Sequence, residues 1–172
     1  GAAAAGGWCW RRHEDDFGPQ DRLTAYWGDE GAAFWFVGLT LRPDPWPAGL
    51  VARAREVAAG AAGLPPSALT ACLANRYDEG SGSIAPHGDE VRAHGDVPVV
   101  AALSLGGPRH VTVAERGGER RSVTVDLEPG SVLVMRGRAM QEEWTHELPL
   151  VPGAPARVSL TFRTIQPGAE KA

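Results

Sequence analysis

Lysine is nearly missing from this chain: Lys171 is the sole example, against a combined Lys and Arg count of 17. Compact ammonium contacts to phosphate are thereby almost removed, leaving planar guanidinium donors for any anion to be bound. That arginine bias fits phosphate recognition and equally fits the Arg/Ala/Gly composition of a GC-rich genome. Positive charge is not in excess either. The formal net charge is −4, which argues against a protein that coats nucleic acid non-specifically, though not against a local basic face. Cysteine is scarce: Cys9 and Cys72 lie far apart, so no disulfide framework is indicated and a reducing compartment is expected, cytoplasmic or, in a eukaryote, nuclear. No run approaches the ~18 apolar residues of a bilayer-spanning helix, so no membrane partner is expected. Internal repeats and an interdomain linker are also absent.

What is present is the composition of an ordinary globular chain, 43% apolar and 22% charged over 172 residues. That length is enough for one domain that removes roughly 70% of its unfolded surface from water. Gly1–Gly7 is an Ala/Gly tract without an initiator Met, read as a truncated or processed, disordered terminus whose apolar part is too short for a signal peptide. Residues 1–22 form an N-terminal tail in which Trp8, Trp10 and Phe17 either clip the chain onto the domain or belong to a substrate loop. Residues 23–167 are the expected domain, with 168–172 a disordered tail. Tyr26–Asp29 reads as a turn before a strand at Ala32–Gly38. Trp46-Pro47 opens a helix carrying Leu50, Val51, Ala54, Val57 and Ala58 at helical spacing.

From Ser67 onward the pattern is strand and turn. Ala68–Tyr77 and Val97–Leu105 read as buried strands. His110–Glu115 and Arg121–Leu127 form a hairpin across Gly117-Gly118. Ser131–Met135, Trp144–Leu148 and Arg157–Ile165 complete the set. Roughly eight short strands after one helix predict a mainly β fold with an N-terminal helix, an antiparallel jelly roll or double-stranded β-helix.

The motif of most chemical interest lies within Asn75–Glu90. His87-Gly88-Asp89 offers an imidazole and a carboxylate at i and i+2, which on an extended segment share a side. With His146 from a distant strand they make two histidines and one carboxylate, the facial triad of non-haem Fe(II) sites with positions left open. His94-Gly95-Asp96 repeats the pattern. It lies in a polar loop where a histidine is expected to be solvated, so His87 is the preferred ligand, with His94 the alternative. A 2-oxo acid can occupy two open positions, and its distal carboxylate then needs a cation. Arg157 and Arg163 share a strand face with Ser159 and Thr161, and a buried arginine needs an anion.

The combination Asn75-x-Tyr77, His87-x-Asp89, His146 and Arg157-x5-Arg163 resembles the AlkB family of Fe(II)/2-oxoglutarate dioxygenases. The segments YWGDEGAAFWFVGLTLRPDPW, LANRYDEGSGSIAPHGDE, LEPGSVLVM and RVSLTFRTI extend the likeness to the family's eukaryotic duplex-DNA-repair branch, from about Arg22 to Ile165. The resemblance implies that His87, Asp89 and His146 bind iron. Asn75, Tyr77 and Ser159 would contact 2-oxoglutarate, Ser159 standing where many members have Asn. Arg157 would pair with the distal carboxylate, and Arg163 would sit by Asp89 as part of the catalytic set. It implies hydroxylation of an N-methyl group on a base, of the N1-methyladenine or N3-methylcytosine type. The cofactors would be Fe(II), 2-oxoglutarate and O2. Phe34, Phe36 and Glu90 would then line the pocket for a flipped base, and Phe17 would match a finger residue on a shortened loop. The implied partner is nucleic acid carrying methylated bases, DNA ahead of RNA, met by a monomer. Two other readings stay open: an oxygenase of a small molecule or protein side chain, and a non-catalytic metal-binding jelly-roll sensor.

Overall fold

The computed structural model describes residues 8–15, 18–36, 39–117 and 121–169, without the side chains of Asp15, Phe34, Phe36 and Arg92. Two antiparallel sheets form the body. The larger is ordered β11 (Val132–Arg136), β8 (Val99–Gly106), β13 (Arg157–Arg163), β6 (Ala71–Tyr77), β3 (Leu23–Gly28). The smaller is ordered β10 (Ser122–Leu127), β9 (Arg109–Glu115), β12 (Trp144–Leu148), β7 (Ile84–His87). Two short hairpins precede the helix: β1 (Glu14–Asp15) with β2 (Gly18–Pro19), and β4 (Phe34–Phe36) with β5 (Leu39–Leu41). The double-sheet jelly roll expected from the strand spacing is the fold found.

Alternation decides which face each residue of the large sheet serves. Ala25, Trp27, Cys72, Ala74, Leu160 and Phe162 point outward and are covered by helix α1 (Leu50–Ala62) through Val51, Ala54, Ala58, Ala59 and Ala62. The alanines on that helix face let it lie close to the sheet. It stops at Gly63, whose left-handed φ of 64° lets its N–H reach the carbonyls of Ala59 and Gly60. Trp10 is buried in the same cluster, and Trp8 packs against Trp10 and Trp27 with ring centroids 5.5 and 5.1 Å away.

The inward face is different in kind. Register aligns Thr24, Asn75, Ser159 and Ser104 as one row across four strands, and all four are buried. Arg157 lies opposite Tyr77 at one end of β13, and Arg163 lies opposite Ala71 and Val100 at the other. A polar row buried between two sheets is costly unless it serves something polar.

Several boundaries differ from the sequence reading. Tyr26–Gly28 is the end of β3 and the turn begins only at Asp29, because Gly28 lets the chain pass close to Thr70: a Cβ there would fall 2.8 Å from the Thr70 carbonyl oxygen. Between Ala71 and His87 the chain forms two strands, β6 and β7. It breaks at a turn containing Gly80 and Gly82, with φ of 66° and 84°. Two short helices were not marked by periodicity: α2 (Val91–His94) and α3 (Arg138–Glu142).

Candidate active site

Strand β7 is an edge strand containing Pro86, which has no N–H for the ladder. Its pairing with β12 shifts register between His146–His87 and Leu148–Ile84, a bulge that seats His87 directly opposite His146. The two rings lie 4.2 Å apart between centroids. The His87 Nδ1 is 2.9 Å from the Ala85 carbonyl oxygen, which as a donor leaves Nε2 free to ligate. That Nε2 is 3.8 Å from Asp89 Oδ1. Donor atoms of His87, Asp89 and His146 all lie within 4.8 Å of one another, and among the described residues they form the only such group.

The surroundings hold Asp89 and His146 in the forms that bind a cation. Burial pushes the Asp89 carboxyl up, but Arg163, His146, His94 and the Arg163 hydrogen bond outweigh it and hold it well below the usual carboxylate range. The Arg163 Nε donates to Asp89 Oδ2 at 2.9 Å. Burial first, then the neighbouring His87, lowers His146 to about 4, with Asp89 opposing and Arg163 and Arg116 adding. At physiological pH His146 is therefore the neutral, metal-binding imidazole. Its Nδ1 is buried without a hydrogen-bond partner among the described residues. This donor set fits a ferrous ion.

Helix α3 supplies what the sequence did not reveal. The Gln141 Oε1 accepts the backbone N–H of Asp89 at 2.9 Å, fixing the carboxylate's base. A Cβ on Gly88 would fall 2.1 Å from the Gln141 carbonyl oxygen and 2.8 Å from Arg116 Nη2, so this helix packs directly onto the His-Gly-Asp backbone. Gln141 carries no motif signal; only the tertiary approach of α3 brings it to Asp89.

Two cavities share His87 in their walls. One, of about 80 Å³, lies between the sheets and is lined by Asn75, Tyr77, His87, His146, Arg157, Ser159, Thr161 and Arg163 among others. At its far end Arg157 Nη2 donates to Ser104 Oγ at 2.9 Å and the guanidinium stands 5.5 Å from the Tyr77 ring. Burial lowers Arg157 from its ordinary value, opposed by Tyr77 and reinforced by Arg109. Its Nε, and the Nη1 of Arg163, are buried without partners among the described residues. Burial likewise raises Tyr77 against the pull of Arg22, Arg157 and Arg109, so its phenol remains a donor. Asn75 is oriented by Arg22, whose Nε donates to Asn75 Oδ1 at 3.0 Å. Buried donors left over around a small, cationic pocket between the sheets fit a carboxylate-bearing molecule.

The other cavity, of about 530 Å³, opens to solvent and is lined by Trp35, His87, Asp89, Glu90, Val91, Arg116, Arg138 and Gln141 among others. Glu90 is exposed at this mouth. The expectation that His94 is solvated fails. It lies in α2, is 3% exposed, and its Nδ1 is 3.0 Å from the Thr164 carbonyl oxygen, outside the metal-competent group. Phe17 falls outside the described residues, as do the side chains of Phe34 and Phe36, whose backbone lies in β4.

A family model described as the 2OG-Fe(II) oxygenase superfamily matches residues 40–163. The chain belongs to that superfamily. Its members work with Fe(II), 2-oxoglutarate and dioxygen, for which the residues above offer donors and cations. The chain is 32% identical over 152 residues to human "DNA oxidative demethylase ALKBH2", covering 84% of this chain and 56% of that protein. It is 29% identical over 164 residues to mouse "Alpha-ketoglutarate-dependent dioxygenase alkB homolog 3", covering 90% of this chain and 55% of the relative. The chain thus spans little more than half the length of the curated relatives it matches. A solved structure of OsALKBH1 superposes with a TM-score of 0.61 at 20% identity, covering 93% of this chain and 86% of that one, which shows the shared fold. The AlkB resemblance read from the motifs is therefore shared by named relatives. Among the described residues no helix is long and apolar enough to cross a membrane.

Proposed function

We propose that this protein removes methyl groups oxidatively from ring nitrogens of nucleobases, of the N1-methyladenine and N3-methylcytosine type, in DNA or RNA. The observation that carries the reading is that two cavities touch one triad: a small, arginine-lined pocket between the sheets and a larger cleft beside it. The relatives named as DNA oxidative demethylases supply the substrate class.

His87, Asp89 and His146 would hold Fe(II), which with 2-oxoglutarate and dioxygen supplies the oxidant for the methyl group. The chain's own residues do the rest. Arg163 keeps Asp89 anionic and aimed, and Gln141 fixes its backbone. Arg157 receives the distal carboxylate of 2-oxoglutarate, with Asn75, Tyr77 and Ser159 along the pocket wall. The inter-sheet pocket encloses the oxo acid and excludes bulk water from it. The methylated base enters from the open cleft, where Glu90 accepts from an exocyclic amine and Phe34 and Phe36 supply aromatic surface; Phe17 contributes from the N-terminal loop. Once hydroxylated, the N-hydroxymethyl group is lost as formaldehyde.

We assign this activity to the domain of residues 23–167 acting as a monomer, with Arg22 and Phe17 of the flanking segment 1–22 contributing and 168–172 following it, in the cytoplasm or a eukaryotic nucleus. The test is incubation of the iron-loaded protein with 2-oxoglutarate and methylated single- and double-stranded oligonucleotides. Formaldehyde and restored bases are expected. Oxo-acid turnover without base repair would transfer the chemistry to a small molecule or protein side chain. No turnover would leave a metal-binding sensor.

A further inference from the structure

The mouth of the open cleft also carries three residues that the proposed chemistry does not use, Trp35, Arg116 and Arg138. On one side the β4–β5 hairpin presents Trp35, which is 37% exposed. A large ring so exposed on a short two-stranded element does little for the core, and its backbone N–H is already held by the Ala169 carbonyl. On the other side stand Arg116 and Arg138. Arg138 is neutralised by Glu142 at 2.7 Å. Arg116 is not: among the described residues it pairs with no carboxylate, and its Nε donates only to the Trp144 carbonyl at 3.3 Å. That bond, with the Gly88 backbone beneath its Nη2, holds an uncompensated guanidinium beside the iron ligands.

We propose that Trp35 and Arg116 form a subsite for the nucleotide flanking the methylated base, the ring stacking on its base and the guanidinium pairing with its phosphate, and that the preferred substrate is single-stranded. This rests on the base-demethylase reading above. A tryptophan face accepts any base, so stacking there gives affinity without sequence preference. Duplex binders neutralise many phosphates at once, whereas among the described residues this mouth offers one arginine without a carboxylate partner, in a chain with one lysine and a net charge of −4. The subsite suits an unpaired strand, whose neighbouring base is free to leave its own stack.

The experiment measures anisotropy of a labelled, methylated single-stranded oligonucleotide bound to metal-free protein, across a salt series, together with kcat/KM on the oligonucleotide and on 1-methyladenosine. Trp35→Ala is expected to weaken oligonucleotide binding roughly 5-fold to 100-fold, with Trp35→Phe recovering most of it. Arg116→Ala should reduce the slope of log affinity against log salt by about 0.7. In both, the oligonucleotide-to-nucleoside ratio of kcat/KM should fall. Affinity within twofold of the parent for Trp35→Ala, an unchanged salt slope for Arg116→Ala, or tighter binding of the matching duplex would overturn the subsite. Those outcomes in a protein that still repairs the oligonucleotide sink this inference alone. Absence of repair in the parent protein sinks the underlying reading as well.

Discussion

Replacing Gly88 with Ala tests whether α3 holds the metal site. The added methyl would sit 2.1 Å from the Gln141 carbonyl oxygen and 3.1 Å from its carbon. Ordinary contact between heavy atoms is about 3.5 Å, so the helix must retreat by roughly 1 Å or more. It cannot be spared by trimming the side chain, because the clash is with backbone. Retreat breaks the 2.9 Å bond from Asp89 N–H to Gln141 Oε1. An unsatisfied buried N–H costs about 1–3 kcal/mol, and overpacking adds about 1–3 kcal/mol. Loss of a bond that orients a ligand typically weakens metal binding 10-fold to 100-fold. Urea unfolding of the metal-free variant should show a loss of about 2–6 kcal/mol, and anaerobic Fe(II) titration the weaker binding. Gln141→Ala keeps the helix in place, so it should reproduce much of the metal defect with a smaller loss of stability. A Gly88→Ala protein that unfolds and binds iron like the parent would refute the claim that α3 orients Asp89.

Removal of Arg157 empties the cationic end of the inter-sheet pocket: Arg157→Ala should cost about 2–5 kcal/mol in 2-oxoglutarate affinity by calorimetry, with Arg157→Lys intermediate, and unchanged affinity would place the distal carboxylate elsewhere. Arg163→Leu strands the buried Asp89 carboxylate, whose side chain is 4% exposed. The metal-free variant should lose about 3–5 kcal/mol in urea, and an undiminished midpoint would mean the pair is solvated. Burial raises the Cys72 thiol far above its ordinary value, so it stays protonated even in mildly alkaline buffer, whereas Cys9 is exposed. A thiol reagent should therefore label one cysteine in the native protein at pH 8 and two in denaturant; rapid labelling of both without denaturant would contradict the packing of β6 against α1.

The parts of this protein legible in its sequence are those whose information is local. His87-x-Asp89 and Arg157-x5-Arg163 each write a strand-face relation into a few positions, and alternation converts spacing into direction without further knowledge. The strands of the jelly roll are legible for the same reason. What the sequence withheld depends on approach between distant segments. Gln141 meets Asp89 across 52 positions. Gly28 reads as a turn until Thr70 is seen beside it, and His94 reads as solvated until Thr164 covers it. Arg22 seemed to end a tail, yet it is buried and orients Asn75.

These tertiary contacts also explain why the site is asymmetric. On the pocket side, register places polar residues in rows, and every strand of the large sheet except β11 contributes to the buried row or its cationic ends. Such a surface tolerates little variation, since each leftover donor is buried and needs the same anion. On the cleft side, Trp35 comes from a separate hairpin, Arg116 from just past β9 and Glu90 from the segment leading into α2. Trp35 is paired only within its own hairpin, opposite Thr40, and none of the three lies on a strand of the two main sheets. On the proposed function, the chemistry would be carried by the rigid rows and substrate choice by the more loosely coupled edges. A change of substrate can proceed at the mouth without disturbing the donors that hold the metal, provided Gly88 and α3 stay in contact beneath it.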